Sequence, residues 1–168
     1  MVMDEHEMHA EWIDVSIKTI ENILGNLKEK IVAVGTTSLR TVESLYWMGA
    51  KCFLDSHVQF HDLEIRQWDV YEEPLSTQNI IAEVALTSLI KWMKKNALER
   101  LFIKTQILIA PGYQFKIINA LITNFHQPQS TLLLLVAAIT NDWKKMYDYA
   151  LENDFRFLSY GDGCLLFV

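Results

Sequence analysis

The sequence has little cysteine, no excess of positive charge and no long apolar run, and each shortage excludes a class of protein. Its two cysteines, Cys52 and Cys164, sit in no CxxC or zinc-type spacing. A disulfide scaffold and a structural zinc site are excluded, and the thiols read as reduced ones of a cytoplasmic protein. Lys and Arg number 15 against 21 Asp and Glu, a formal charge of −6. That balance argues against a protein that grips nucleic acid by bulk positive charge, while a local basic patch stays open. The longest apolar run, Leu132 to Ile139, falls well short of the ~20 residues of a membrane span, so no membrane partner is expected. The start of the chain carries Asp4, Glu5, Glu7 and Glu11, which a signal peptide does not. Repeats and low-complexity tracts are absent. What is present is a core-forming composition, 51% apolar and 21% charged over 168 residues, enough to bury a core without staples.

Apolar spacing predicts alternating helices and strands. Residues 1–15 read as polar and extended. Ser16 is placed to cap a helix from Ile17 to about Lys30, with Ile17, Ile20, Leu24 and Leu27 on one stripe. Ile31 to Val34 reads as a short buried strand and Gly35-Thr36-Thr37-Ser38 as a break. A second helix is expected from about Leu39, with Leu39, Val42, Leu45 and Tyr46 inward. Residues 52–72 read as strands or irregular chain. A helix from about Gln78 to Asn96 would bury Ile80, Ile81, Val84, Leu89, Trp92 and Met93 and leave Lys91, Lys94 and Lys95 in water. Strands are expected over Leu101–Ile109 and Phe115–Phe125, around a Pro111-Gly112 turn. Further helices are expected from Ser130 or Thr131 to about Ile139 and over Trp143–Asn153, then two strands around Tyr160-Gly161-Asp162-Gly163. This alternation predicts the α/β class: one layered domain over residues 1–168, a mixed β-sheet flanked by helices.

Four groups of residues could carry chemistry. Thr36, Thr37 and Ser38 would stand at a helix N-terminus, where free N–H groups favour an anion. Arg40 in that first turn opposes the helix dipole, which suggests an anionic partner; the plain structural reading is an internal pair with Glu43. The loop is neither GxGxxG nor Walker-type, so no dinucleotide site follows. Asn124 and His126, two apart on an expected strand, would share a face where that strand gives way to a helix. Open α/β sheets place ligands at such an edge, and a His there moves protons near neutral pH; a His that merely bonds the turn is the equal alternative. Asp162-Gly163 reads first as a hairpin turn. His6, His9 and Glu11 have a spacing that permits a metal, but no supporting ligands, so an exposed polar segment is the better reading and no metal site is expected. The absence of G-x-S-x-G removes a serine hydrolase of the α/β-hydrolase kind.

Taken in order, the motifs resemble one family. They are His6-x-Met8-His9-Ala10-Glu11, Val32 to Ser44, Thr105-Gln106-Ile107, Pro111-Gly112-Tyr113, Phe115-Lys116, Ala120 to His126, Pro128, Ser130 to Leu133 and Arg156 to Asp162. The chain is similar to the S-adenosylmethionine:tRNA ribosyltransferase-isomerases of the queuosine pathway over residues 4–48 and 101–167. Residues 49–100 read as an insertion, Asn119 stands where the family tends to have Asp, and Gln127 and Gly163-Cys164 also depart from the pattern. The resemblance covers the C-terminal portion of the family, whose N-terminal part and small β-barrel have no counterpart here. It implies an enzyme that moves the ribosyl group of S-adenosylmethionine onto 7-aminomethyl-7-deazaguanine at the tRNA wobble position, with isomerisation to epoxyqueuosine. Partners would be tRNA, S-adenosylmethionine and the N-terminal part of the same protein; S-adenosylmethionine is a substrate and no cofactor is implied. In that reaction His126 is the expected proton-transfer group, with Asn124 and Asp162 beside it. Thr36, Thr37, Ser38 and Arg40, with His9 and Glu11, are expected to bind substrate. The alternative is a folded lobe that binds without turnover.

Overall fold

The computed structural model describes residues 9–128 and 130–168. In chain order the elements are β1 (Glu11–Ser16), α1 (Ile17–Gly25), β2 (Val32–Val34), α2 (Thr36–Leu54), α3 (Ala82–Lys95), β3 (Arg100–Thr105), β4 (Ala120–Asn124), α4 (Thr131–Ile139), α5 (Trp143–Glu152) and β5 (Gly163–Phe167). Strands β1 and β3 form an antiparallel ribbon, from Glu11 opposite Thr105 to Ser16 opposite Arg100. A second, mixed sheet has the order β2-β4-β5, with β2 parallel to β4 and β5 antiparallel to it. The architecture is therefore α/β with a mixed sheet and flanking helices, as the alternation predicts.

Helix α2 is the central post, with eleven of its nineteen residues buried. It runs without a break through position 49, and α3 lies against it. A Cβ on Gly49 would meet the Ala85 carbonyl oxygen at 2.2 Å, so only glycine admits this approach. Residues 49–100, expected as an insertion, do not stand apart from the domain: Leu63, Ile65, Leu86, Leu89 and Met93 are core side chains. Lys91, Lys94 and Lys95 are exposed, as the α3 stripe requires, and Lys94 is tied to Glu21 at 2.8 Å.

Several expected boundaries move, each for a visible reason. Ser16 caps α1 by accepting the Thr19 N–H at 3.1 Å. The helix stops at Gly25 and not near Lys30, because Asn26 closes it, its Nδ2 donating to the Asn22 carbonyl at 2.8 Å. Helix α2 begins at Thr36, three residues before Leu39, so the Thr-Thr-Ser run is its first turn. Ile81 is 63% exposed and not buried, since it is the residue from which α3 starts. Strand β2 is not buried on both faces: Ala33 points inward, while Val32 and Val34 point out. Strands β3 and β4 are shorter than expected, because residues 106–119 spend their backbone elsewhere. Gln106 N–H donates to the Ile65 carbonyl and Leu108 N–H to that of Gln67. Asn119 Oδ1 accepts the Ile31 N–H at 2.8 Å, joining the starts of β2 and β4 through an oxygen that Asp would also offer. Asp162-Gly163 makes no hairpin; a 3₁₀ turn over Leu158–Tyr160 precedes a single strand, β5, which pairs back onto β4.

Candidate functional site

Strands β2 and β4 are parallel neighbours, so their C-terminal ends lie side by side. Gly35 N–H continues the ladder to the Ile122 carbonyl at 2.8 Å. Gly35 then takes φ 86, a left-handed conformation that glycine adopts without strain, and the chain turns into α2. Among the described residues no side chain caps this helix start. Thr36 is half-buried and Thr37 and Ser38 are exposed there, leaving the first-turn N–H groups as the local positive pole.

Arg40 is turned into the molecule and is 3% exposed. Its Nη1 donates to Glu11 Oε1 at 2.7 Å and its Nε to the Ile107 carbonyl at 3.1 Å. The internal partner is thus Glu11 on β1, not Glu43. Burial holds the guanidinium pKa below its usual range, against the opposing pull of Glu11. Arg40 Nη2 and Glu11 Oε2 are both buried without a hydrogen-bond partner among the described residues. A cation and an anion with one orphan each are what a bound polar group would complete. His9 is exposed just before β1, and His6 lies outside the described residues.

The second cluster forms where β4 ends. Phe125 turns inward against Tyr147, Phe155 and Phe157, at centroid distances of 5.3, 5.6 and 5.3 Å. Burial keeps alternating past the strand end, with Thr123 and Phe125 buried and Asn124 and His126 half-buried. His126 Nε2 lies 3.0 Å from Thr123 Oγ1, while Asn124 Nδ2 donates to the Gly161 carbonyl at 3.4 Å. The two side chains thus share no hydrogen-bond partner, His126 reaching back to Thr123 and Asn124 reaching out to the Gly161 loop. The His126 backbone N–H is held by Tyr147 Oη at 2.9 Å. Burial lowers the His126 pKa, which favours a neutral imidazole near pH 7. Asp162 closes its own loop, accepting Arg156 N–H at 2.9 Å and lying 3.3 Å from Arg156 Nη2. The Arg156 backbone N–H, then its side chain, hold the Asp162 carboxyl below its usual range. The structure therefore brings Glu11 to Arg40, the Gly35 turn to Ile122, and the Gly161-Asp162 loop to Asn124. No hydrogen bond or ion pair joins His126 to Arg40 among the described residues; the β2–β4 backbone links the two clusters.

Sequence reasoning assigned Glu43 to the wrong partner and missed its role. Glu43 is fully buried and accepts from Tyr113 Oη at 2.7 Å and from the N–H groups of Lys116, Ile117 and Ile118 at 2.9, 3.0 and 3.0 Å. Trp47 Nε1 donates to Tyr113 Oη at 2.8 Å. The signal was available: Glu43 is the one acidic residue between Leu39 and Trp47, four positions from each on an apolar stripe.

Fold and edge together define an α/β protein with candidate ligand-accepting turns at the C-terminal ends of a parallel strand pair. A family model described as "Queuosine biosynthesis protein" matches residues 2–166, and the chain belongs to that family. It is 34% identical over 165 residues to the S-adenosylmethionine:tRNA ribosyltransferase-isomerase of Acinetobacter baumannii strain ATCC 17978, covering 96% of this chain and 35% of the relative. It is 35% identical over 170 residues to the same-named protein of Rickettsia bellii strain RML369-C, covering 98% and 35%. The crystal structure of an S-adenosylmethionine tRNA ribosyltransferase from Thermotoga maritima superposes with a TM-score of 0.56 at 28% identity, over 92% of this chain and 39% of that one. The chain spans about a third of the length of the curated relatives it matches. Among the described residues no helix is long and apolar enough to cross a membrane.

Proposed function

We propose that this chain is the part of an S-adenosylmethionine:tRNA ribosyltransferase-isomerase that carries the β2–β4 edge. The whole enzyme transfers the ribosyl group of S-adenosylmethionine to 7-aminomethyl-7-deazaguanine in tRNA and rearranges it to epoxyqueuosine. The observation that carries this reading is the family match along residues 2–166 to relatives bearing that activity in their names. The chemistry needs a base for the proton beside the sulfonium, a donor for departing adenine, and an anchor for each substrate. A half-buried His126 with lowered pKa suits the base, because the sulfonium already acidifies its neighbouring C–H and a modest base suffices. Thr36, Thr37, Ser38 and Arg40 suit the anchor, with the orphaned Arg40 Nη2 and Glu11 Oε2 offering one donor and one acceptor. Asn124 and Asp162 shape the turn beside His126, and the exposed His9 reaches the substrate as a surface contact.

Adenine release and nucleoside analysis of modified tRNA test the reading. Activity is expected when residues 2–166 replace the matching third of the Acinetobacter relative. Absence of turnover in that chimera, with its fold intact, refutes it.

A second reading, a lobe that binds without turning over by itself, is favoured by the outer face of the mixed sheet. The register sets Val34, Ile122 and Leu165 in one row and Val32, Ala120 and Phe167 in the next. Five of those six side chains are at least 41% exposed. A sheet face this apolar is a contact surface, and in the relatives two thirds of the chain remain to cover it. The 168-residue chain alone is therefore expected to be inactive.

A further inference from the structure

Lys116 stands on the loop that Glu43 holds. Its backbone N–H is committed to Glu43, but its ammonium lies over two rings, 5.4 Å from the Trp47 centroid and 5.7 Å from that of Tyr46. Among the described residues no carboxylate comes within ion-pair distance of it. Lys51 shows the contrast: its ammonium meets Asp69 at 2.8 Å and the carbonyls of Asp62 and Glu64 at 3.1 and 2.6 Å. Aromatic faces hold a cation in position without neutralising it.

Lys116 lines a cavity of about 270 Å³ whose walls include Trp47, Tyr71 and Tyr113. The polar atoms of those walls are already used. Trp47 donates to Tyr113, Tyr113 donates to Glu43, and Tyr71 Oη donates to the Leu108 carbonyl while accepting the Ala110 N–H. Ser76 and Gln114, also in the lining, have side chains without a partner among the described residues. Among the described residues the cavity thus presents aromatic walls, one fixed and uncompensated cation, two uncommitted hydrogen-bonding side chains and no carboxylate. That set discriminates for negative charge. The volume is below the ~300–1,000 Å³ of sites that enclose a whole ligand, so it fits one group of a larger molecule.

We propose that this cavity is an oxyanion subsite, with Lys116 as its charged contact and Ser76 and Gln114 as donors. The proposal rests on the reading above, which supplies two oxyanions: the α-carboxylate of S-adenosylmethionine and a tRNA phosphodiester.

Amide NMR of the 168-residue chain tests it by separate titration with inorganic phosphate, S-adenosylmethionine and an anticodon stem–loop RNA. Wild type is compared with Lys116→Gln and Lys116→Arg, and with Lys95→Gln as an exposed control. Since Glu43 uses only the backbone of residue 116, the substitutions leave the loop anchored. A substrate is expected to shift amides of residues 112–116, with affinity at least tenfold weaker in Lys116→Gln, restored in large part by Lys116→Arg and unchanged in Lys95→Gln. If RNA is the source, the salt dependence of binding falls by about one counterion in Lys116→Gln; if S-adenosylmethionine is, it hardly moves. Lys116-dependent binding of phosphate, with neither substrate bound, keeps the oxyanion site and removes the functional reading. No Lys116-dependent shift with any probe, or an equal loss in Lys95→Gln, overturns the proposal.

Discussion

Tyr113 and Glu43 meet at 2.7 Å inside the core, seventy positions apart in sequence, and their bond fastens the Pro111–Ile118 loop to α2. Burial first, then the Glu43 charge, push the Tyr113 phenol well above its usual pKa, so it stays a donor. Removing the Glu43 side chain strands Tyr113 Oη–H and three backbone N–H groups, and each stranded buried group costs about 1–3 kcal/mol. Glu43→Ala is expected to unfold the chain or lower its stability by more than about 3 kcal/mol. Tyr113→Phe, which removes one donor and frees Trp47 Nε1–H, is expected to cost about 1–3 kcal/mol. Urea midpoints at unchanged m-value measure both. The double variant should cost less than the sum, because the two share one network; strict additivity would contradict the network.

The Arg40–Glu11 pair predicts an asymmetry. The Glu11 side chain is 34% exposed and rehydrates if its partner is lost; that of Arg40, at 4%, does not. An uncompensated buried charge costs about 3–5 kcal/mol at the upper end. Glu11→Gln should therefore destabilise more than Arg40→Met, as thermal unfolding would show. Equal losses would mean that Glu11 contributes no charge compensation. On the proposed function, the matching Arg→Met change in a full-length relative should raise KM more than it lowers kcat, since anchoring acts on substrate affinity.

How much of this was legible beforehand follows from where each contact lies in sequence. Ser16, Ser130 and the α3 stripe were readable because a cap and a helical face are local patterns; Ser16 and Ser130 accept the Thr19 and Leu132 N–H groups as their spacing requires. The mixed sheet class followed from alternation alone. The partners of Arg40 and Glu43 lie 29 and 70 or more positions away, and no window of sequence contains them. Residues 107–110 looked like strand because they are apolar and buried. Burial sets composition, whereas pairing depends on which backbone groups a distant segment leaves free. Asn124 and His126 are both half-buried in the two-residue period, but their separate partners, Gly161 and Thr123, depend on loop geometry that the period does not carry.

His126 gives a pH signature with a definite sign. Its folded pKa is lowered by burial, so the unfolded chain binds the extra proton first. Its contribution to stability is fully present above the unfolded value near 6.5 and is lost as pH falls through the folded pKa. Stability below pH ~6.5 should decline less steeply in His126→Gln than in wild type, as parallel urea titrations across that range would read. On the proposed function, the same substitution at the matching position of a full-length relative should lower turnover by about 10²–10⁴-fold if this His moves the proton. Normal turnover would make it a turn residue bonded to Thr123.

The apolar sheet face separates the lobe from the whole enzyme in one experiment. Ile122 and Leu165 are opposed across β4 and β5, 41% and 51% exposed. Exposed sites away from special features tolerate substitution within about 0.5 kcal/mol. Ile122→Lys with Leu165→Glu keeps an opposite-charge cross-strand pair, which by itself supports a sheet by a few tenths of a kcal/mol. In the 168-residue chain the pair should leave the urea midpoint almost unchanged. At the matching positions of a full-length relative it would bury two charges under whatever covers the face, at a cost of several kcal/mol. Stability and adenine release should both collapse there. If the full-length relative tolerates the pair, this face is solvent-exposed there, and the expected inactivity of the 168-residue chain would have to come from missing substrate contacts, not from a missing packing partner.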